Sequence, residues 1–441
     1  MATLIIKPRS RIFHGHEWVY AMEVQKTIGR PEPGSVVSLI DAKNKPMGSA
    51  IYNPKSQIVA RRFSRRRQKL DEAFFTRRIR RAFDYRERLF AGRQPAGVYR
   101  MVWSESDGLP GLIVDRYGAH CVVQTLTLAM DQRRDMIAAA LRAVCAPESI
   151  IERNDAPIRA AEGMEPRTGV LHGCVPPAFA LATPHGSFTV DLLGGQKTGL
   201  YLDQFDNYAA VAALARGRRV LDCFCNQGGF ALACAMAGAT SVLGLDASET
   251  AVATATANAA ASGVADRCSF MAVNVFDFLK SAESAYNQPP VAAKAAMPAK
   301  AGGDHEGDEG GEDGDDGGEE GDDAPRAGAA ARDGLYDLII LDPPSFTRSK
   351  GSLRDAMRGY KEIHLRALKL MRPGGLLSTY SCSHHVSRAD FRLMIVDAAM
   401  DAKRTLRQVL FHGQRPDHPV VPSLPETEYL KGYTYELMAS W

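Results

Sequence analysis

Long hydrophobic runs are missing from this chain of 441 residues: no stretch of 18 or more apolar residues occurs, which excludes a membrane-spanning helix. The eight cysteines follow no regular spacing, so a disulfide framework is not expected. Cys223-x-Cys225 has no second cysteine pair at zinc spacing, and the adjacent His384 and His385 do not have metal-ligand spacing. No metal site is expected. The start, Met1-Ala-Thr-Leu-Ile-Ile-Lys-Pro-Arg9, lacks the apolar stretch and cleavage site of a secretory signal, so a reduced, cytoplasmic protein is expected. Internal repeats are absent too. What the chain does have is 45% hydrophobic residues over a length sufficient for two to four domains.

Net charge is low, at +3, but it is a sum of opposites. Segment 285–333 carries thirteen acidic and four basic residues, and within it Asp304–Asp323 is twelve Asp/Glu, seven Gly and one His. Such a stretch cannot bury enough apolar surface to offset its ordering entropy, which predicts a disordered insertion. Without it the chain keeps 50 Lys and Arg against 38 Asp and Glu, net +12, and Arg61–Arg93 alone is net +9. A basic body of this kind suits a polyanionic partner.

Turn signals at Pro33-Gly34 and Asn53-Pro54 separate short strand patterns, which predicts a β-rich module over residues 1–70. From Asp71 to Phe90, apolar residues at helical spacing lie among arginines, an amphipathic basic helix. It opens a mixed α+β segment, 71–195, with a helix around Met130–Val144 and strands near Ile150–Arg153 and Phe188–Leu193. From Gln196 to the end, strands alternate with helices: Arg219–Cys223, Ser241–Asp246, Cys268–Val273, Tyr336–Leu341 and Leu376–Tyr380 read as strands. That alternation predicts a doubly wound α/β sheet, whose ligands lie at the carboxyl ends of the strands.

Three strand ends carry chemistry. Val220-Leu-Asp-Cys-Phe-Cys-Asn-Gln-Gly-Gly-Phe230 runs from a strand through a glycine turn into a helix, whose first amides are free to meet a ligand. It is not G-x-G-x-x-G, but Asp246 ends the next strand, where a carboxylate accepts hydrogen bonds from ribose hydroxyls. Leu338-Ile-Ile-Leu-Asp-Pro-Pro-Ser-Phe346 ends a buried strand in Asp342, and its prolines stiffen the following loop. Tyr380-Ser-Cys-Ser-His-His385 places Cys382 at a further strand end; an isolated buried thiol is usually inert, but this one shares the crevice with Asp342, which points to a nucleophile.

In this order these segments resemble class I S-adenosylmethionine-dependent methyltransferases, and more closely the bacterial 23S rRNA cytosine-5 methyltransferases that begin with a PUA-like domain. Further matching motifs are Arg11-Ile-Phe-His-Gly-His-Glu-Trp-Val-Tyr20, Ser104-Glu-Ser-Asp-Gly-Leu-Pro-Gly-Leu-Ile-Val-Asp-Arg116, Gly195-Gln-Lys-Thr-Gly-Leu-Tyr-Leu-Asp-Gln204, Arg358-Gly-Tyr-Lys361 and Tyr429-Leu-Lys-Gly-Tyr433. The resemblance implies a Rossmann-like methyltransferase domain and S-adenosylmethionine as cofactor. Gln196, Lys197, Thr198, Gly199, Tyr201, Asp203 and Gln204 would lead into its site. Asp222, Phe224, Gly228, Gly229 and Phe230 would form the turn beneath it, Asp246 and Ala247 would meet the ribose, Asn274 and Val275 the adenine, and Asp342 would close the set. Cys382 would be the nucleophile, with Asp342, Pro343, Pro344 and Phe346 framing the target base. Ribosomal RNA is the implied partner, free or in an assembling large subunit, and the resemblance also admits a homodimer.

The chain departs from that family pattern in places. Phe205 and Tyr208 stand where arginines are usual, Asn274 where aspartate is usual, and Ser345 where many RNA cytosine-5 methyltransferases have a second cysteine. Two alternatives follow: a 23S rRNA guanine methyltransferase, whose relatives share a similar Asp-Pro-Pro-x-Phe loop, and a non-catalytic RNA-binding or assembly factor. Arg61, Arg62, Arg65, Arg66, Arg77 and Arg81 are the expected phosphate contacts, since arginines of this density lie beside a module resembling an RNA-binding one.

Overall fold

The computed structural model describes residues 2–195, 198–287, 334–347 and 350–439. Most of the acidic segment, together with Gln196 and Lys197, lies outside them. Seven strands form the C-terminal sheet: β1 Arg219–Cys223, β2 Ser241–Asp246, β3 Cys268–Ala272, β4 Tyr336–Leu341, β5 Met371–Ser381, β6 Leu406–Gly413 and β7 Lys431–Leu437. Their spatial order is β3-β2-β1-β4-β5-β7-β6. The first five are parallel, and β7 joins β5 and β6 antiparallel. Helices Gly229–Met236, Glu249–Ala261, Val275–Asn287, Leu353–Leu370 and Arg388–Asp401 connect the strands and cover the sheet. Covering on both faces explains the unbroken apolar run of β4, where Leu338, Ile339, Ile340 and Leu341 are fully buried. The strand order reverses between β1 and β4, so Asp222, Asp342, Cys382 and Asp246 all fall at the carboxyl ends around that switch.

Two further sheets precede this one. Six short strands between Thr3 and Ser64 form the first, and five between Val98 and Gly173 form the second. The basic helix Glu72–Leu89 links them, its amino end capped by Asp71, which accepts from Phe74 N at 2.9 Å. Phe74, Phe75, Ile79 and Ala82 bury one face of this helix, while Arg77 and Arg81 stay exposed on the other. The hairpin Phe179–Thr183 with Gly186–Val190, read from sequence as part of the central segment, packs instead on helix Glu249–Ala261. There Thr189 N donates to Asn258 Oδ1 at 2.9 Å, and Ser187 N to Ser262 Oγ at 2.8 Å just beyond the helix end. Phe188 and Val190 join a core with Val220 and Leu232 that continues into Tyr117 and Val122 of the central sheet. The helix around Met130–Val144 is two pieces, Leu128–Asp131 and Arg134–Cys145. Among the described residues no helix is long and apolar enough to cross a membrane, and no group of three or more His, Cys, Asp or Glu is placed to hold a metal ion.

Candidate functional site

The turn after β1 is held in shape by its glycines. Gly228 takes φ +87°, and a Cβ there would stand 3.1 Å from the Phe270 ring; at Gly229 a Cβ would stand 2.4 Å from Tyr208. Helix Gly229–Met236 starts at this point, and Asp222 Oδ2 accepts from Ala231 N at 2.9 Å. Asp222 Oδ1 is buried with no hydrogen-bond partner among the described residues. Burial, followed by the nearby charges of Asp342 and Asp246, pushes the Asp222 carboxyl well above its usual value. Asp246 is fixed at the rim, accepting from Asn226 N and Ser248 N, both at 2.9 Å. Phe205 and Tyr208 fill space beside the turn: with Phe188, Tyr201 and Asn226 they line a cavity of ≈ 30 Å³, and the Tyr208 and Phe230 rings meet edge-on at 4.7 Å.

Residues 198–204 split into two roles. Thr198 Oγ1 donates to Asp115 Oδ2 at 2.5 Å, and Leu200 N donates to Tyr117 Oη at 2.9 Å, so the Thr198–Leu200 stretch is tied to the central sheet. Gly199, at φ +137°, brings the chain within 3.1 Å of Tyr117, measured from a Cβ built there. Beyond it, Asp203 Oδ2 accepts from Tyr429 Oη at 2.6 Å and Gln204 Nε2 donates to Asp342 Oδ2 at 2.9 Å. Asn207 Nδ2 in turn holds Gln204 Oε1 at 2.6 Å, which orients the amide toward Asp342. Tyr201 lies among the acidic groups: burial, then the charges of Asp342, Asp203, Cys382 and Asp246, raise its phenol well above the usual range. Asn274 Oδ1 accepts from Phe276 N at 2.9 Å and so caps the following helix, Val275 is buried, and Ala247 is exposed at the end of β2. Phe224 adopts φ 65° in the turn and stacks edge-on to Phe346.

The Asp342 loop and the Cys382 strand end are joined by hydroxyls. Ser345 Oγ and Ser383 Oγ are 2.9 Å apart, Ser383 Oγ lies 3.0 Å from Tyr360 Oη, and Ser381 Oγ donates to Tyr360 Oη at 3.1 Å. The bonded hydroxyls thus flank Cys382 on both sides in sequence. Pro343 is buried, whereas Pro344 is exposed at the mouth. Lys431 sits beneath this corner, paired across the sheet with Ser381 and only 4% exposed. Its Nζ donates to Ser383 O at 2.7 Å and Val386 O at 2.9 Å. Burial, opposed by the Cys382 thiol, lowers the Lys431 ammonium to about 8. Sequence reading quoted Lys431 and Tyr360 inside motifs but gave neither a role, because only the β5–β7 pairing and the packing of helix Leu353–Leu370 bring them to Cys382.

Three residues expected to touch substrate also make contacts within the protein. Arg61 is paired with buried Glu105 at 2.8 Å and lies over the Trp18 ring, and Arg62, 7% exposed, is paired with Glu17 at 2.5 Å. Both guanidiniums serve the fold inward, because an alternating strand sends its basic residues toward partners as readily as toward solvent. Phe346 turns into a ring cluster with Tyr360 at 4.6 Å and Phe276 at 5.8 Å, a packing wall of the crevice. Arg65, Arg66, Arg77 and Arg81 remain exposed and line one groove of ≈ 870 Å³ with Arg78. Burial, then the charges of Arg81 and Arg77, lower the Arg78 guanidinium.

A PUA-like domain model matches residues 5–65, and an S-adenosylmethionine-dependent methyltransferase model matches residues 178–284, which hold the glycine turn and Asp246. Among solved structures, a SAM-dependent methyltransferase from Streptococcus mutans aligns at TM-score 0.77 and 20% identity, covering 99% of this chain and 100% of that one. A second methyltransferase structure, complexed with SAH, aligns at TM-score 0.78 with the same coverage and identity. At that identity the likeness establishes the fold. Ribosomal RNA large subunit methyltransferase I of Photobacterium profundum is 35% identical over 423 residues, 95% of this chain and 94% of its own length. The protein of that name from Erwinia tasmaniensis is 34% identical over 435 residues, 98% of each. Identity of that extent, across all three sheets and the crevice, places the chain in the ribosomal RNA large subunit methyltransferase I family.

Proposed function

We propose that this protein methylates C5 of a cytosine in large-subunit ribosomal RNA through a covalent adduct on Cys382. The observation that carries this reading is the corner where Cys382, between Ser381 and Ser383, meets the Asp342 loop above the buried Lys431 ammonium. The crevice suits S-adenosylmethionine: a sulfonium and an ammonium call for anionic surroundings, and Asp222 offers an unpartnered buried oxygen beside Asp246 and Asp342. Gly228 and Gly229 leave room for close approach, and Asp246 stands at the ribose position. When bound, the cofactor supplies an electrophilic methyl group.

Cytosine C5 is too weak a nucleophile to take that group unaided. The Cys382 thiolate would add to C6, forming a C–S bond, and the C5–C6 π pair would bond the methyl carbon at C5 as the methyl–sulfonium bond breaks and leaves a neutral thioether. Loss of the C5 proton returns that pair to the ring and breaks the C–S bond, restoring the thiolate. Lys431, whose Nζ holds the backbone carbonyls that follow Cys382, places a positive charge where it favours thiolate over thiol. Asp342, oriented by Gln204, would, when protonated or through a bridging water, hydrogen-bond the N3/N4 edge of the cytosine. The target base must be unstacked to reach the crevice, and Arg65, Arg66, Arg77 and Arg81 hold the RNA backbone in the basic groove. Incubation with labelled S-adenosylmethionine and protein-free 23S rRNA, followed by digestion to nucleosides, tests the reading. Labelled 5-methylcytidine is expected, and labelled methylguanosine would replace it with the guanine alternative.

A further inference from the structure

Next to the crevice lies a second cleft, ≈ 430 Å³, walled by aromatic rings from two parts of the chain. Trp103 ends a strand of the central sheet; Tyr429 and His418 come from the segment between β6 and β7, and His384 follows Cys382 by two residues. The Trp103 and His418 rings are 5.3 Å apart, Trp103 and Tyr429 5.5 Å, and His384 and Tyr429 5.8 Å. Their polar ends are tied back into the protein. Tyr429 Oη donates to Asp203 at 2.6 Å, and His418 Nδ1 lies 2.8 Å from the fully buried Asp417. Beneath Trp103, 5.0 Å from its ring, the Arg100 guanidinium is locked to Asp115 by two bonds of 2.7 and 2.8 Å. These ties hold Tyr429 and His418 in place before any ligand arrives, and Gln124 and Asp155 add polar groups to the lining.

The position of the cleft identifies what it takes. Leu200 and Tyr201 line both this cleft and the cavity beside the glycine turn. On its other side, the turn after Trp103 lines the basic groove through Glu105–Gly108, and the segment carrying His418 does so through Val421 and Leu424. The same two segments therefore wall the arginine groove and the aromatic cleft. A strand whose phosphates follow the groove and whose reacting base enters the crevice brings a neighbouring base to these rings. Ring faces accept any base by stacking.

We propose that this cleft stacks an unpaired nucleobase of the RNA, adjacent in the strand to the base that is methylated; the proposal rests on the reading of the chain as an RNA methyltransferase. The full-length protein is titrated with single-stranded octacytidylate, following tryptophan fluorescence. Wild type is expected to show quenching. Trp103→Ala is expected to weaken binding by about tenfold, with unchanged affinity for S-adenosylmethionine reporting an intact fold. Trp103→Phe keeps a stacking face, so its affinity stays near wild type while the share of the quench owed to Trp103 disappears, leaving that of Trp18 and Trp441. Wild-type RNA affinity in Trp103→Ala, or a quench as large in Trp103→Phe as in wild type, would overturn the proposal. Absence of methyl transfer to 23S rRNA by the wild type would overturn the functional reading instead, and the titration would still decide the cleft.

Discussion

Cys382 and Lys431 are 49 positions apart, and the antiparallel β5–β7 pairing that sets Ser381 opposite Lys431 makes them neighbours. Replacing Cys382 by Ala is expected to abolish turnover while leaving S-adenosylmethionine affinity unchanged by calorimetry; retained methylation would exclude the adduct. Lys431 gives a pH signature. Its ammonium, lowered to about 8, is charged below that pH and neutral above it, so the rate is expected to fall as pH rises through about 8. In Lys431→Arg the charge persists, and the falling limb should move to higher pH. A pH–kcat profile of both proteins checks this. At this scale the sequence was legible where residues sit at strand ends: Asp342, Asp246 and Cys382 were each expected at the carboxyl end of a strand, and the strands end there. Lys431 was not, since a lysine within a C-terminal strand pattern carries no signal until its cross-strand partner is known. Arg61, Arg62 and Phe346 have partners within the protein that the sequence did not show, for the related reason that exposure is decided by tertiary contacts.

The elements that were easiest to read are those with long periodic patterns. Helix Glu72–Leu89 and strands β1, β2 and β4 fall within a residue of their expected bounds, whereas Thr3–Ile6, Trp18–Val19 and helix Phe205–Ala212 are too short to show a period. The basic helix and the loop before it supply the exposed Arg65, Arg66, Arg77 and Arg81. Changing Arg65, Arg77 and Arg81 together to Ala is expected to weaken RNA binding and reduce its log–log salt slope by roughly 2 to 3, with cofactor affinity retained. A filter-binding series over ionic strength measures it, and an unchanged slope would remove the helix from the RNA contact. The helix and strand layers also carry an acid-sensitive pair. His364 lies between Tyr360 O at 2.6 Å and Thr379 Oγ1 at 2.7 Å, and His412 lies 2.7 Å from Thr434 Oγ1. Burial lowers both imidazoles to about 4. The fold favours their neutral form, so this stabilisation is complete above pH 6.5 and is lost as pH falls toward 4. Denaturant unfolding at pH 7 and pH 5 should differ by roughly 2 kcal/mol for each histidine, and the double Gln variant should flatten that difference.

Across the whole molecule, three sheets share walls: the central sheet and the methyltransferase core meet through Tyr117, Val122, Phe188 and Val220, and the aromatic cleft opens along the same junction. That junction was not legible in the sequence, because only a strand near Phe188–Leu193 was read there and its pattern does not indicate which layer it joins. The charge division was legible. At the net −9 segment 285–333, the described chain ends with helix Val275–Asn287 and resumes at Gly334, just ahead of β4 and so on the amino-end side of the sheet from the crevice. Deleting residues 290–332 is therefore expected to leave turnover on 23S rRNA unchanged, and lost turnover with an intact unfolding transition would contradict that. The central claim, a Cys382–C6 adduct on cytosine, is tested most directly with RNA in which cytidine is replaced by 5-fluorocytidine. Fluorine at C5 cannot leave as a proton does, so the adduct cannot collapse after methyl transfer. The wild-type protein with S-adenosylmethionine should form a one-to-one protein–RNA complex that survives denaturing electrophoresis, and Cys382→Ala should form none. Full methylation of the unsubstituted RNA without any trapped complex would contradict the account.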